Sequence, residues 1–297
     1  MSRESLAAEP LRAIASTLRC PVCTGPLTVS ADDRSLCCDR SHRFDIARQG
    51  YVSLFDGRST PHRSDTAAMV TARRRVHASG LFDSVAGIVA GIVEHALTPA
   101  APGVVFDAGA GTGHYLAATL DRVDSARGIG VDLSKYCARA IARSHPRAAA
   151  VVADLWRPLP IASGSVGAIL SIFSPRNVTE FARVLDPAGV LVVVTPNPDH
   201  LTEIIEPMGM LAVGADKDER LAATLAEDFE TVGEQVLREQ HMLGRDAITD
   251  LVAMGPSAFH RSADEIAADA DALTGGGTED IAVSLSISVT TATPRRS

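Results

Sequence analysis

One short segment constrains the fold of this chain more than any other: an apolar run that ends in an acid and passes directly into a glycine-rich turn. It spans residues 104–113 and reads Val-Val-Phe-Asp-Ala-Gly-Ala-Gly-Thr-Gly. Glycines allow the backbone to approach a ligand closely, and amide groups at the start of a following helix attract the ligand's negatively charged part. The segment therefore predicts a strand, a ligand-binding turn and a helix in succession.

Apolar runs and helical stretches alternate from this segment onward, as in an open, mostly parallel sheet with helices on both faces. The predicted strands are 104–107, 128–131, 149–153, 168–173 and 190–195. After Pro198 we expect helices at about 199–226 and 245–254, and strands over 229–240 and 281–290. The pattern indicates an α/β fold.

Acids end the second and third of these strands. Asp132 follows Gly113 by 19 residues, where a carboxylate can accept both hydroxyls of a ribose, and Asp154 with the next backbone amide can read an adenine edge. A dinucleotide-binding turn has the spacing G-x-G-x-x-G, whereas this turn has G-x-G-x-G, the arrangement of class I methyltransferases. The predicted cofactor is S-adenosylmethionine, and the predicted binding residues are Asp107, Gly109, Gly111, Gly113, His114, Tyr115, Asp132, Asp154 and Leu155.

Four of the five cysteines lie in a turn-rich N-terminal stretch that has too little apolar surface to fold without a staple. A Cys20-x2-Cys23 pair and a Cys38-x3-His42 pair supply three thiolates and one imidazole, which complete a tetrahedral shell for structural zinc. Cys37 is the alternative third ligand; we choose Cys38, because Cys37 would sit where a strand points an apolar side chain inward. The clustering, without a secretion signal, favours metal over disulfides.

Charge is distributed unevenly along the chain. Residues 1–80 hold 12 arginines and no lysine against eight acids, a net charge of +4, so the rest carries −12 of the total of −8. A basic arm on an acidic body suits an anionic ligand that is held locally.

Without an apolar run of about 18 residues or a signal-peptide core, we expect a soluble, cytoplasmic protein that has no membrane partner.

The chain resembles the 23S ribosomal RNA (guanine-N1)-methyltransferase family, which includes macrolide- and tylosin-resistance enzymes, over nearly its whole length. The motifs that carry the resemblance are the zinc pairs with Phe44-Asp45, Gly50-Tyr51-Val52-x-Leu54, Asp65-Thr-Ala-Ala-Met69-x-x-Ala72-Arg73-Arg74 and Met254-Gly-Pro256. The resemblance implies a zinc finger over a class I domain, a homodimer, and methylation of guanine N1 in a 23S rRNA hairpin loop near the peptide exit tunnel, with macrolide resistance as one role. The chain departs from the family at Ser171-Ile-Phe-Ser-Pro175-Arg176 and at Pro187-Ala-Gly189, where Pro-Gly-Gly is usual.

The predicted organisation is a zinc-finger module for RNA recognition (1–57), an Arg-rich connector (58–80) and a class I methyltransferase domain (81–297). Methyl transfer depends mainly on alignment of nucleophile and donor, and a base must accept the guanine N1 proton. The sequence does not identify this base; the weak candidates are His62, Asp65 and His114. The candidates for contacts with RNA phosphates are Arg73, Arg74 and Arg75.

Two other functions stay open at this point. One is a zinc-finger RNA-binding protein with a degenerate methyltransferase body, which the intact Asp107 and glycine turn oppose. The other is a methyltransferase that acts on a small metabolite, for which the basic zinc module has no evident purpose. Ser174-Pro175 differs from the Asp/Asn-Pro-Pro-Tyr/Phe motif of amino-directed enzymes, and this difference argues against an exocyclic amine as target.

Overall fold

The computed structural model describes residues 3–97, 103–211 and 222–295. Its helices are α1 (Arg3–Ile14), α2 (Ala67–Ala78), α3 (Asp83–Ala96), α4 (His114–Arg122), α5 (Lys135–Ser144), α6 (Val178–Val184), α7 (Thr202–Ile205), α8 (Arg245–Ala253) and α9 (Ala263–Leu273). Its strands are β1 (Thr28–Val29), β2 (Ser35–Cys37), β3 (Arg43–Asp45), β4 (Tyr51–Ser53), β5 (Val104–Ala108), β6 (Arg127–Asp132), β7 (Ala148–Val152), β8 (Val166–Ile172), β9 (Leu185–Pro196), β10 (Phe229–Leu243) and β11 (Ile281–Pro294). Within these ranges no single helix is long and apolar enough to cross a membrane; α2 and α3 meet that criterion only as a pair, bent by 83°.

A large sheet of eight strands in the order β10-β11-β9-β8-β5-β6-β7-β4 forms the centre of the molecule. Neighbouring strands from β9 to β4 run parallel, whereas β11 pairs antiparallel with both β9 and β10. The predicted fold class and its five central strands are confirmed. Strand order reverses between β5 and β8, and ligands of open α/β sheets bind at the carboxyl ends of the strands at such a point.

The N-terminal module is joined to this sheet instead of standing apart from it. Its own sheet, β1-β2-β3, is antiparallel, but the next strand, β4, pairs in parallel with β7 through Val52 and Val151. Leu11 and Ile14 of α1 are fully buried in the same apolar cluster as Phe106 of β5. The division at residue 57 therefore remains a proposal about function, because the two parts share one core.

The connector crosses the carboxyl ends of the strands where the cofactor site is predicted. The Thr60 hydroxyl donates to the Asp154 carboxylate (2.7 Å), so the segment passes over the end of β7. Five residues later the Asp65 carbonyl accepts a hydrogen bond from the Ser134 hydroxyl (2.6 Å), beyond the end of β6. The helix α2 then packs against α5 and α8. These contacts make the connector a strap over the predicted ligand site.

The C-terminal region differs from the sequence prediction in two places. The helical prediction at 199–226 is wrong over 199–201 and 206–211, because α7 begins at Thr202 and ends at Ile205. Residues 212–221 lie outside the described ranges, and 222–225 are helical. Pro207 and a left-handed Gly209 (φ 57°) explain the early end. The helix at 245–254 and the strands at 229–240 and 281–290 are confirmed. The unpredicted α9 begins with a capping box of Ser262 and Glu265, a detectable sequence pattern.

Candidate cofactor and zinc sites

Two tight turns shape the cysteine-rich module. Thr24 and Ser41 adopt the left-handed conformation (φ 60° and 65°), one residue after Cys23 and one before His42. The Thr24 amide donates to the Cys20 carbonyl (2.8 Å), so the first turn closes within its own Cys-x2-Cys pair. The Ser41 amide donates to the Cys38 carbonyl (3.0 Å) in the second turn. Each turn thus bends one ligand pair back on itself.

The four predicted ligands converge, and all their ligand atoms lie within 4.8 Å of one another. Nδ1 of His42 lies 3.5 Å from Cys20 Sγ and 3.3 Å from Cys38 Sγ, and Cys23 Sγ lies 3.6 Å from Cys38 Sγ. Thiolates and imidazole on tetrahedral zinc are separated by roughly 3.5–3.8 Å, so the donor set fits the metal. Burial raises the pKa of the Cys38 thiol, but hydrogen bonds from the backbone at His42 and Arg40 outweigh it and lower that pKa to about 6, which favours the thiolate.

Cys37 lies outside this cluster, as predicted, but it does not occupy the inward-facing position of the strand that we expected for it. Leu36, which is fully buried, fills the core position of β2. The Cys37 side chain is half-buried, and its Sγ lies 3.5 Å from the Ser35 hydroxyl. Cys38 becomes the ligand because it follows β2 and begins the second turn.

The glycine-rich turn has the conformation that its sequence predicts. Gly109, Gly111 and Gly113 all have positive φ (78°, 55° and 78°), and Gly113 caps the start of α4. A Cβ at Gly109 would lie 2.6 Å from Ser174 Cβ, and one at Gly113 would lie 2.6 Å from Ser144 Oγ. Close packing within the protein therefore requires these two glycines, independently of a ligand.

Two carboxylates flank this turn. Asp132 accepts hydrogen bonds from the amides of Gly111 (3.0 Å) and Ser134 (2.8 Å), while burial raises its pKa to about 6. Asp107 is almost fully buried, and its Oδ2 contacts no hydrogen-bond partner in the part of the chain that the structure describes. Burial, and the nearby Asp132, raise the pKa of Asp107 to about 8. An orphaned buried carboxyl oxygen beside an amide-lined turn fits the ammonium group of S-adenosylmethionine.

The third predicted acid is already engaged by the protein. The Asp154 carboxylate accepts from the Trp156 amide (3.0 Å) and from the connector residue Thr60. Leu155 is buried, and its carbonyl accepts from the Asn177 side-chain amide (2.9 Å). Asp154 and Leu155 follow the end of β7, as expected, and their contact with adenine remains a prediction.

Comparison with known proteins agrees with both sites. A zinc-ribbon model described as RlmA, N-terminal, matches residues 18–56, and a methyltransferase-domain model matches residues 105–189. A 23S rRNA (guanine(748)-N(1))-methyltransferase of Streptomyces fradiae is 45% identical over 250 residues, which cover 84% of this chain and 88% of the relative. A protein of Micromonospora griseorubida named "Putative 23S rRNA (guanine-N(1)-)-methyltransferase" is 44% identical over 282 residues, 90% of this chain and 95% of the relative.

The chain belongs to the 23S rRNA (guanine-N1)-methyltransferase family. The predicted resemblance and the two predicted cofactors, S-adenosylmethionine and zinc, are confirmed. The zinc shell already has four protein ligands, so it has no open position at which water could be activated. Zinc in this methyltransferase is therefore structural.

A pair of stacked imidazoles lies beside the turn, and only one of them, His114, is predicted from the sequence as a site residue. The ring of His114, a predicted cofactor residue, stacks on His77 with 4.2 Å between centroids, and Tyr115 lies edge-on to both. Burial lowers the pKa of His77 to about 3 and also lowers that of His114, so both rings are neutral at pH 7. His77 Nδ1 lies 2.9 Å from the Thr112 hydroxyl in the turn. The connector thus contributes directly to the methyltransferase site.

The three weak candidates for the general base occupy different surroundings. His62 is exposed, with its ring 5.9 Å from that of Trp156. Asp65 forms an ion pair with Arg73, and His114 lies in the imidazole stack. None of these contacts identifies a base, so the three residues remain predictions.

The run of three arginines on α2 does not present one surface. Arg75 forms two hydrogen bonds with the carboxylate of Asp250, and Arg73 is turned toward Asp65. Arg74 is exposed. Contact with RNA phosphates therefore remains a prediction that suits Arg74 better than its two neighbours.

Phe173, directly after β8, is a further candidate for the site that sequence reasoning did not single out. Its backbone is left-handed (φ 50°), which is strained for a large non-glycine residue, and 42% of the residue is exposed. Its ring lies 5.9 Å from Phe82 and stacks at 6.3 Å on His200. The next residue, Ser174, packs on Gly109, so the chain at Phe173 passes beside the cofactor turn.

Replacement of Asp132 by Ala should weaken binding of S-adenosylhomocysteine by about 1–3 kcal/mol, because the ribose hydroxyls would lose a charge-assisted acceptor. Titration calorimetry at pH 7.5 measures this change. Asp121→Ala, an exposed carboxylate at the end of α4, is the matched control and should have no effect. Unchanged affinity in Asp132→Ala would show that Asp132 does not hold the ribose.

Proposed function

We propose that this chain transfers a methyl group from S-adenosylmethionine to N1 of a guanine in 23S rRNA. The observation that carries the proposal is 45% identity, over 84% of the chain, to an enzyme named for that activity. The converged Cys3His cluster and the orphaned carboxyl at the glycine turn support it, since both functional parts of the family are intact. A degenerate methyltransferase body would not need to keep that turn.

The reaction breaks the bond between methyl carbon and sulfonium sulfur, forms a bond from that carbon to N1, and releases the N1 proton. When bound, S-adenosylmethionine supplies the electrophilic methyl group. Asp107 and Asp132 would hold the donor at its ammonium and ribose, while Phe173 would hold the base in line with it. Most of the rate enhancement would come from this alignment, because methyl transfer is an in-line displacement. The proton acceptor stays unassigned among His62, Asp65 and His114.

Exposed arginines on the zinc module and connector support RNA as the substrate. Arg40, Arg48, Arg63 and Arg74 all reach solvent, within the region whose net charge is +4. Phosphate contacts of this kind position an RNA without reading its sequence. Arg63 and Arg74 belong to the strap itself, which crosses the carboxyl ends of β6 and β7, so RNA bound to them would lie near this end of the sheet.

Phe173→Ala should lower kcat/KM for the RNA substrate by about 5- to 150-fold, since stacking of a base on an aromatic ring contributes roughly 1–3 kcal/mol. Single-turnover methylation with tritiated donor measures this change, and Phe173→Trp should retain most of the rate. Affinity for S-adenosylhomocysteine should stay unchanged in both variants. Equal rates in Phe173→Ala and the wild type would remove Phe173 from the base-binding surface.

The function itself is tested by primer extension on 23S rRNA after incubation with enzyme and donor. Methylation at N1 blocks Watson–Crick pairing, so the expected result is one enzyme-dependent arrest at a guanine. At a subsaturating donor concentration this arrest should be weaker in the Asp132→Ala reaction. Label in a small metabolite, and not in RNA, would support a metabolite methyltransferase. Tight RNA binding without transfer would support a degenerate body.

We place the target in a hairpin loop near the peptide exit tunnel, and we expect the enzyme to act in the cytoplasm and to raise the tolerance of its host to macrolides.

A homodimer is proposed through the edge strand β10, where Val232, Val236 and Met242 are each more than half exposed. Light scattering should then give twice the monomer mass, and Val236→Lys should lower it. A monomer at micromolar concentration would contradict this dimer.

A further inference from the structure

The Arg73 side chain lies over the glycine turn. It starts from the connector helix α2, and a Cβ built on Gly111 would lie only 3.1 Å from its Nη1. On its other side, the same glycine donates its amide to Asp132 at 3.0 Å. A positive charge therefore borders the central residue of the turn, where amide groups were predicted to attract the negative part of a ligand.

Two distant parts of the chain hold this guanidinium in place. Nη2 donates to the Met254 carbonyl at 2.8 Å, and Nη1 forms an ion pair with Asp65. Burial lowers the pKa of Arg73, but the carboxylates of Asp65 and Asp132 outweigh that effect and raise it, so the group is always charged. Only 21% of the side chain is exposed. Arg73 is thus a preorganised cation, poorly placed to reach RNA phosphates.

A zwitterionic ligand at this turn needs charges of both signs from the protein. Asp107, with its orphaned Oδ2, suits the ammonium group, and Arg73 suits the carboxylate because a guanidinium donates two parallel hydrogen bonds to a carboxylate. Building on the cofactor site of the proposed function, we propose that Arg73 binds the carboxylate of the donor's methionyl group. The family motifs around Asp65 and Met254 then serve to position Arg73.

The experiment compares two ligands that differ in that group. S-adenosylhomocysteine carries the amino acid moiety, and methylthioadenosine has the same adenosine and sulfur without it. In Arg73→Gln, the Kd for S-adenosylhomocysteine should rise roughly 10- to 100-fold, as for loss of charged hydrogen bonds, while the Kd for methylthioadenosine should stay within about twofold. The Kd of Arg73→Lys for S-adenosylhomocysteine should fall between those of the wild type and Arg73→Gln. Lysine keeps the positive charge but cannot donate two parallel hydrogen bonds to a carboxylate. Calorimetry measures both ligands.

Arg74→Gln is the matched control: it removes the exposed neighbour and should change neither Kd, but should flatten the salt dependence of RNA binding. A merely structural Arg73 would weaken both ligands equally in Arg73→Gln, or neither, and that result would overturn the proposal. If Arg73→Gln does not fold, as judged by its melting curve, Arg73→Lys still carries the contrast between ligands. If the wild type binds neither ligand, the proposed cofactor site fails, which is a separate outcome.

Discussion

Cys23→Ser should lose its zinc and abolish methylation of 23S rRNA. Cys23 Sγ lies 3.6 Å from Cys38 Sγ within the four-ligand cluster, and a serine hydroxyl is a poor replacement for a thiolate on zinc. Metal binding contributes about 10–16 kcal/mol to folding in small zinc modules, and residues 19–55 contain only short strands. The module should therefore unfold, and RNA would lose its docking surface.

Because the module shares its core with the large sheet, its unfolding should also weaken the adjacent edge of that sheet. The edge strand β4 pairs with β7, so the variant should also melt at lower temperature than the wild type, whereas the turn between β5 and α4 stays intact. We expect S-adenosylhomocysteine to bind Cys23→Ser within about tenfold of the wild type, because the Asp132 contacts lie on the opposite side of β7 from β4. Cys37→Ser, a neighbouring cysteine outside the cluster, is the control and should keep its zinc. Stoichiometric zinc in Cys23→Ser, by mass spectrometry, would contradict the ligand assignment.

Local patterns made the two cofactor sites predictable. The spacing of Cys20 and Cys23 indicates one turn, and alternate glycines after a strand indicate another, so both turns can be recognised from residues close in sequence. The strand-end acids follow from the regular α/β alternation, since parallel strands place their carboxyl ends along one edge. Each of these inferences needs only residues that are close in sequence.

Contacts between distant segments were not predictable in the same way. The hydrogen bond from Thr60 to Asp154 spans 94 residues, and the one from Arg73 to Met254 spans 181. An arginine beside two others on a helix has the sequence pattern of an exposed phosphate-binding run, and only the packing of α2 against α8 shows that Arg73 is turned inward. The overlong helix at 199–226 has a different origin, because the helical composition there outweighed Pro207 in the prediction.

Asp107→Asn should stabilise the cofactor-free protein at pH 8 while it weakens cofactor binding. Burial raises the pKa of Asp107 from 3.8 to about 8. At a pH between these two values, the folded state therefore keeps a proton that the unfolded chain has released. Stability therefore falls as pH rises from about 4 to about 8, the reverse of an acid with a lowered pKa. Asparagine is neutral at every pH and imitates the protonated form, so the variant avoids this loss.

The gain should be small at pH 4 and reach at most about 5 kcal/mol at pH 8, which corresponds to a rise in melting temperature on the order of 10 °C. Scanning calorimetry of cofactor-free protein at pH 4, 6 and 8 measures the trend, and Asp121→Asn, at an exposed position on α4, should show none.

Affinity for S-adenosylhomocysteine should fall in Asp107→Asn, because an amide cannot neutralise the ligand's ammonium group, whereas affinity for methylthioadenosine, which lacks that group, should not. Equal melting temperatures of Asp107→Asn and wild type at pH 8 would mean that Asp107 is ionised without cofactor. If the buried carboxyl is instead neutral until the ammonium group arrives, then binding must remove its proton, and the affinity for S-adenosylhomocysteine should rise with pH up to about 8 in the wild type but not in Asp107→Asn.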